Sequence, residues 1–144
     1  MADSNISNKS RSIATAPASI STATFTVADY LLTRLKQLNV TDVFQIPGDY
    51  VKHFTQALEY FDGVNTIGAI NELDAAYAAD AYARTRGLAA VSLQFGVSTY
   101  SALNAIAGAW VERSPIVVIS AAFETHGRQK PSALDSRCAG SFWA

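Results

Sequence analysis

From Phe25 onward, apolar residues recur at two spacings, and the alternation between them sets out a series of elements. Val27, Tyr30, Leu31, Leu35 and Leu38 fall on one helical face, with Thr26 placed as an N-cap, so the spacing predicts an amphipathic helix over 26–38. Val43, Phe44 and Ile46 make a short apolar run stopped by Pro47-Gly48, the pattern of a buried strand entering a tight turn. Val51, Phe54, Leu58 and Phe61 then share the face of a second helix, which Gly63 ends. A second apolar run covers 64–70. Asn71 is placed to cap a helix over 72–86, and Gly87 is placed to close it. Residues 88–95 form a third run, Gly96 turns the chain, and a helix is expected from about Tyr100 to Glu112. Pro115 prevents that helix from continuing, and 116–120 reads as a fourth strand.

Four continuous apolar strands alternating with amphipathic helices predict an α/β fold, a parallel sheet with helices on both faces, because a sheet covered on both sides needs no in-out alternation. No internal repeat is visible, and the pattern does not specify strand order. The flanks differ from this central part. Residues 1–24 are rich in Ser, Thr, Ala and Asn without periodicity and are expected to be a flexible leader. A transit peptide is the alternative, but Lys9 and Arg11 are the segment's only bases, where such peptides are Arg-rich. Residues 121–144 break the rhythm with His126 to Pro131 and are expected to be an atypical tail.

Composition narrows the function classes. Of the 144 residues, 49% are apolar and 16% charged, against roughly 25% charged in ordinary soluble domains. One domain with a real core is expected at this length. A net charge of −1 without a basic run gives no electrostatic footprint for nucleic acid or an anionic membrane, and no apolar stretch reaches the ~20 residues of a bilayer span. Cys138 is the only cysteine, which excludes an internal disulfide and fits a reducing, cytoplasmic setting. Alanine is in excess at 25 residues, six of them between Ala75 and Ala83, and small side chains of that kind let backbones approach closely.

In open parallel sheets ligands bind at the carboxyl ends of strands. Three places there carry candidate chemistry: Pro47-Gly48-Asp49, Asn71-Glu72 and Phe95-Gly96-Val97-Ser98. From position alone, Glu72 reads as a helix-start acid favoured by the macrodipole, Asp49 as an N-cap, and Gly48 and Gly96 as turn glycines. Arg84 and Arg86 read as dipole-compensating surface charge. His53 and His126 read as solvated positions, and no metal site is expected. No phosphate-cradling glycine motif is present. On these residues alone a flavodoxin-like binding module without catalysis is the simplest reading.

The blocks Phe44-Gln45-Ile46-Pro47-Gly48-Asp49, Asn71-Glu72-Leu73-Asp74-Ala75-Ala76-Tyr77, Phe95-Gly96-Val97 and Ser101-Ala102-Leu103-Asn104-Ala105-Ile106-Ala107-Gly108-Ala109 together change that reading. In order and spacing, over residues 25–120, the chain closely resembles the N-terminal pyrimidine-binding (PYR) domain of thiamine-diphosphate-dependent 2-oxo acid decarboxylases, the pyruvate, indolepyruvate and phenylpyruvate decarboxylase group. The resemblance implies that Glu72 hydrogen-bonds N1′ of the cofactor's aminopyrimidine and assists its amino-to-imino tautomerisation. It implies that Asp49 acts in substrate binding and proton relay, and that Pro47, Gly48 and Val97 line the pyrimidine pocket. A carboxylate sharing a proton with N1′ needs apolar, partly desolvated surroundings, which the run before Glu72 and the alanine-rich helix behind it could supply.

Departures from the family pattern stand beside the matches. Gln45 and Ser98 occupy positions where the family commonly has glycine, and Asp135-Ser136 stands where the family has an adjacent histidine pair. The resemblance further implies that the magnesium and diphosphate ligands belong to another domain, and that the complete enzyme is a homodimer or homotetramer with the cofactor at the subunit interface. The expectation is therefore a fragment of a carboxy-lyase that is inactive by itself, its small-molecule 2-oxo acid unspecified. The alternatives are a catalytically silent domain that pairs with a full-length relative, or a piece of an acetolactate synthase or benzoylformate decarboxylase-like enzyme.

Overall fold

The computed structural model describes residues 24–122. The element order is α1 (Val27–Gln37), β1 (Asp42–Gln45), α2 (Lys52–Glu59), β2 (Asn65–Gly68), α3 (Glu72–Arg86), β3 (Ala89–Gln94), α4 (Val97–Ser101), α5 (Leu103–Val111) and β4 (Ile116–Ala121). The expected leader over 1–24 and tail over 121–144, with His126 in it, lie outside the described residues apart from their inner ends. All strand pairs are parallel, in the order β2-β1-β3-β4. The α/β reading therefore holds.

The helices lie on both faces because buried strand residues alternate between two cores. Phe44, Ala89, Val91 and Leu93 face α3 and α5, joining Ala75, Ala76, Ala79, Ala83, Ala102 and Ala105 in one cluster. Val43 and Ala90 face the other way, toward Leu32 and Leu35 of α1 and Phe54 and Leu58 of α2. One face is thus built with alanine and the other with leucine. The alanine side chains put little area between α3 and the sheet, so the helix backbone lies close to it.

Local signals placed the helix ends well where a side chain does the capping. Thr26 and Asp29 form a reciprocal capping box, with the Asp29 N–H donating to Thr26 Oγ1 at 3.1 Å and the Thr26 N–H to Asp29 Oδ2 at 2.8 Å. Asn71 caps α3 by accepting from the Asp74 N–H at 3.0 Å, and Gly87 ends it at φ +96°, where an L side chain would be strained.

Five expectations need correction. The face that α1 buries is centred on Leu32 and Leu35, with Val27, Tyr30 and Leu38 left exposed, because the helix packs on the second core through those two leucines. The second strand is only Asn65–Gly68 and is exposed along its whole length, because it is a sheet edge paired to β1 alone. The second helix stops at Glu59 rather than at Gly63, and Val51 sits before its first residue as the cap. Asp49 is not that cap but an exposed turn residue. The single helix expected over 100–112 is two, α4 and α5, which begin at Val97 and meet at Ala102.

Two polar groupings hold the sheet's amino edge and the α3–α5 contact. Asp42 Oδ2 accepts from Thr41 Oγ1 at 2.6 Å and from the Tyr82 hydroxyl at 2.7 Å, while Asn65 Nδ2 donates to Oδ1 at 3.1 Å. These ties link β1, β2 and α3. Arg84 Nε lies 3.1 Å from both Asp80 oxygens and Nη1 lies 3.2 Å from Glu112 Oε2, so the charge expected to offset the α3 dipole also fastens α3 to the end of α5. The hydroxyls of Thr41 and Tyr82 beside Asp42 hold its carboxyl below the usual carboxylate range. A depressed native pKa stabilises the fold above the unfolded value of about 3.9, and that share is lost as pH falls through the lower native value. Asp42→Asn should therefore lower the urea midpoint at pH 7, and the gap from the parent should close in acid below about pH 4. A gap of constant size from pH 7 to pH 3 would remove the ionised network as its source.

Candidate functional site at the carboxyl edge of the sheet

Parallel pairing brings the carboxyl ends of β2, β1 and β3 to one edge, in that spatial order. β1 leads to β2 on one side and the chain crosses to β3 on the other, so the crevice between β1 and β3 is a topological switch point, the usual ligand position in open α/β sheets. Hydrogen bonds carry the alignment past the strands. The Ala69 N–H donates to the Gln45 carbonyl at 3.3 Å, and the Ile46 N–H to the Ser92 carbonyl at 3.4 Å. Ile46 thereby lies between Ala69 on one side and Ser92 on the other, and Gly48 lies against the Gln94 side chain.

The residues singled out from sequence fall on this edge. Pro47 is exposed and Gly48 half-buried in the turn after β1, with Asp49 exposed beyond them. The Gly48 carbonyl accepts from the Val51 N–H at 3.2 Å and starts the turn into α2. Glu72 is the half-buried first residue of α3. Its carboxylate has no hydrogen-bond or ion-pair partner among the described residues, since Asn71 and Asp74 make the cap between themselves. Val97 opens α4 and is 61% exposed, and Ile70 just before the α3 cap is 94% exposed. An unpaired carboxylate and exposed apolar side chains at one sheet edge suit a partly apolar ligand that offers a hydrogen-bonding group.

Backbone and orphaned polar groups fit the same use. Gly96 is buried with φ +77° and ψ −127°, a conformation that side chains rarely adopt, and it delivers the chain from β3 into α4. Ser98, one of the two departures from the family pattern, is buried, and its hydroxyl has no partner among the described residues. Gln45, the other departure, is 4% exposed, and its side-chain oxygen accepts from Thr55 Oγ1 of α2 at 3.1 Å. A polar side chain inside the sheet is thus satisfied from the helix above it. Neither Thr55 as that partner nor Gln94 as part of the crevice is marked by a motif in the sequence. The signal for Gln94 is its place two residues before Gly96, near the end of the mostly apolar run 88–95.

No group of His, Cys, Asp and Glu able to hold a metal occurs among the described residues, and no helix there is long and apolar enough to cross a membrane. His53 is exposed on α2.

Residues 25–138 match the family described as thiamine pyrophosphate enzyme, N-terminal TPP binding domain. The chain is 47% identical over 95 residues to an alpha-keto-acid decarboxylase of Mycobacterium ulcerans, a match covering 66% of this chain and 17% of that protein. It is 46% identical over 97 residues to one of Mycobacterium leprae, covering 67% of this chain and again 17% of the relative. The chain thus spans about a sixth of the length of these curated relatives. Among solved structures, it is similar to a thiamine diphosphate-dependent 4-hydroxybenzoylformate decarboxylase of Rhodococcus jostii, with TM-score 0.72 and 22% identity over 81% of this chain and 22% of that one. It is also similar to a benzoylformate decarboxylase of Polynucleobacter necessarius, with TM-score 0.69 and 19% identity over 76% of this chain and 20% of that one. At those identities the solved structures bear on the fold alone.

Proposed function

The chain belongs to the thiamine pyrophosphate enzymes, as their N-terminal TPP-binding domain, and from that premise we propose that it supplies the aminopyrimidine-activating half of the cofactor site in a non-oxidative 2-oxo acid decarboxylase. When bound, thiamine diphosphate supplies the electron sink for loss of carbon dioxide, chemistry that the protein orients rather than performs. The observation that carries the reading is Glu72, a half-buried carboxylate left unpaired at the carboxyl edge, next to the switch-point strand.

In this reading Glu72 holds or releases a proton at the pyrimidine ring nitrogen. Its place on the first turn of a helix that lies flat against the sheet fixes it in position. Gly48, without a side chain, leaves room in the crevice beside the ring, Pro47 shapes the turn, and Val97 with Ile70 covers the ring and excludes water. Asp49, exposed in the same turn, meets the substrate or relays its proton. The substrate is a small 2-oxo acid. Magnesium and the diphosphate are held by a different domain, so the cofactor lies at an interface in a homodimer or homotetramer of the complete enzyme, in the cytoplasm. Trp110 and Val111 on α5, 83% and 78% exposed, offer apolar surface for such contacts.

The test is a chimera in which residues 25–121 of this chain replace the matching segment of the Mycobacterium ulcerans alpha-keto-acid decarboxylase. With thiamine diphosphate and magnesium it is expected to release carbon dioxide from a 2-oxo acid at a rate within about tenfold of the parent, roughly 1.4 kcal/mol of barrier. A chimera that folds and assembles like the parent but neither binds the cofactor nor turns over would overturn the reading.

A further inference from the structure

Gly48 is a glycine for reasons of space and not of conformation. Its φ lies outside the left-handed region, unlike Gly63, Gly87 and Gly96. A Cβ added to it would fall 1.9 Å from Gln94 Oε1, 3.0 Å from Gln94 Cδ and 3.4 Å from Gln94 Cβ. All three nearest atoms thus belong to one side chain. The comparable described glycines with ordinary φ, Gly68 and Gly108, have nothing within 4 Å of the added atom. The Gln94 carboxamide therefore lies directly over the Gly48 α-carbon, across the crevice between β1 and β3.

The main chain of Gln94 is held firmly while its side chain is only half-buried. Gln94 pairs with Ala121 in the β3–β4 register, and its carbonyl accepts from Thr99 Oγ1 at 2.8 Å. A fixed backbone with a flexible amide can keep one place in the crevice and still adapt to an occupant. The carboxamide offers one acceptor and two donors, which complement the edge of an aminopyrimidine, where an exocyclic amine adjoins ring nitrogens. We propose that Gln94 is a binding residue of this crevice that hydrogen-bonds the polar edge of the pyrimidine and positions the ring beside the turn at Gly48. This rests on the function proposed above and adds to it a contact that the family resemblance does not assign.

The experiment uses the full 144-residue chain labelled with nitrogen-15 and titrated with thiamine, which carries the pyrimidine without the diphosphate. The Gln94 side-chain NH2 signals are expected to shift together with backbone amides of residues 46–49, 71–73 and 95–97. Gln94→Ala and Gln94→Glu, the second keeping the shape while removing both donors, should each weaken binding about five- to tenfold, the size expected for one lost neutral hydrogen bond. The rest of each variant's spectrum should stay dispersed and unmoved. If the parent binds at this edge and both variants bind equally well, Gln94 is a packing residue and this inference alone falls. If thiamine at saturating concentration moves no amide at the carboxyl edge of the parent, the pyrimidine-site reading falls with it.

Discussion

Glu72→Gln in the active chimera is expected to lower decarboxylation by about 10²- to 10⁴-fold, the range a positioned acid-base group contributes, with little effect on folding. The structure separates the two outcomes. A first-turn glutamate ordinarily serves the helix through its macrodipole, an effect of about 0.3–1 kcal/mol at an exposed site. Here the cap is made without Glu72: Asn71 accepts from the Asp74 N–H at 3.0 Å and its Nδ2 donates to Asp74 Oδ2 at 2.8 Å. Asp74 also keeps a negative charge on the first turn. Glutamine keeps the length and shape of Glu72 and removes its ability to take up and give back a proton, and with it the charge. The urea midpoint should therefore barely move while turnover collapses, and thiamine diphosphate should still bind. Asn71→Ala is the contrasting variant, because it removes the cap and should lower stability by about 1 kcal/mol. A Glu72→Gln chimera with full turnover would take this carboxylate out of the chemistry.

What could be read from the chain and what could not follow the range of the interactions. The ends of α1 and α3 were legible because the capping partners lie within three residues, as with Thr26 and Asp29 or Asn71 and Asp74. The candidate residues were legible as strand-end positions for the same local reason, since each follows an apolar run at a turn. The exposure of β2 was not, because it depends on strand order. Thr66 and Ile67 pair only with β1, and nothing within 64–70 states which strand will be an edge. The Asp42–Tyr82 tie spans 40 residues, and Gly48 and Gln94 meet only because β1 and β3 are neighbours. The break at Ala102 was hidden for another reason. Val97 to Val111 contains no proline, and Gly108, its only glycine, lies well beyond the break, so local propensity does not mark it. Ala102 is wholly buried against the α3 cluster, which places the bend by packing.

The alanine face of α3 yields the second large effect. Ala79 is completely buried between Ala75, Ala76 and Ala83 on its own helix and Phe44, Val91 and Leu93 of the sheet. Leucine at 79 adds three carbons where the helix backbone already lies close to the strands. To take them in this wholly buried place, α3 must lift or its neighbours leave their rotamers, a change that costs about 1–3 kcal/mol. Ala81, exposed on the same helix, supplies the control, since Ala81→Leu should change stability by no more than about 0.5 kcal/mol. The consequence reaches the site because Glu72 begins the same helix, two turns or about 10 Å from residue 79 along its axis. A lift of α3 moves the carboxylate relative to Gly48, which belongs to a different strand end and stays with the sheet. Ala79→Leu in the chimera should therefore lose turnover at temperatures where circular dichroism still shows it folded, while Ala81→Leu keeps it. Equal urea midpoints for the two variants would mean that the alanines are not what sets the distance between helix and sheet. Unequal midpoints with equal turnover would mean that this distance does not govern the place of Glu72.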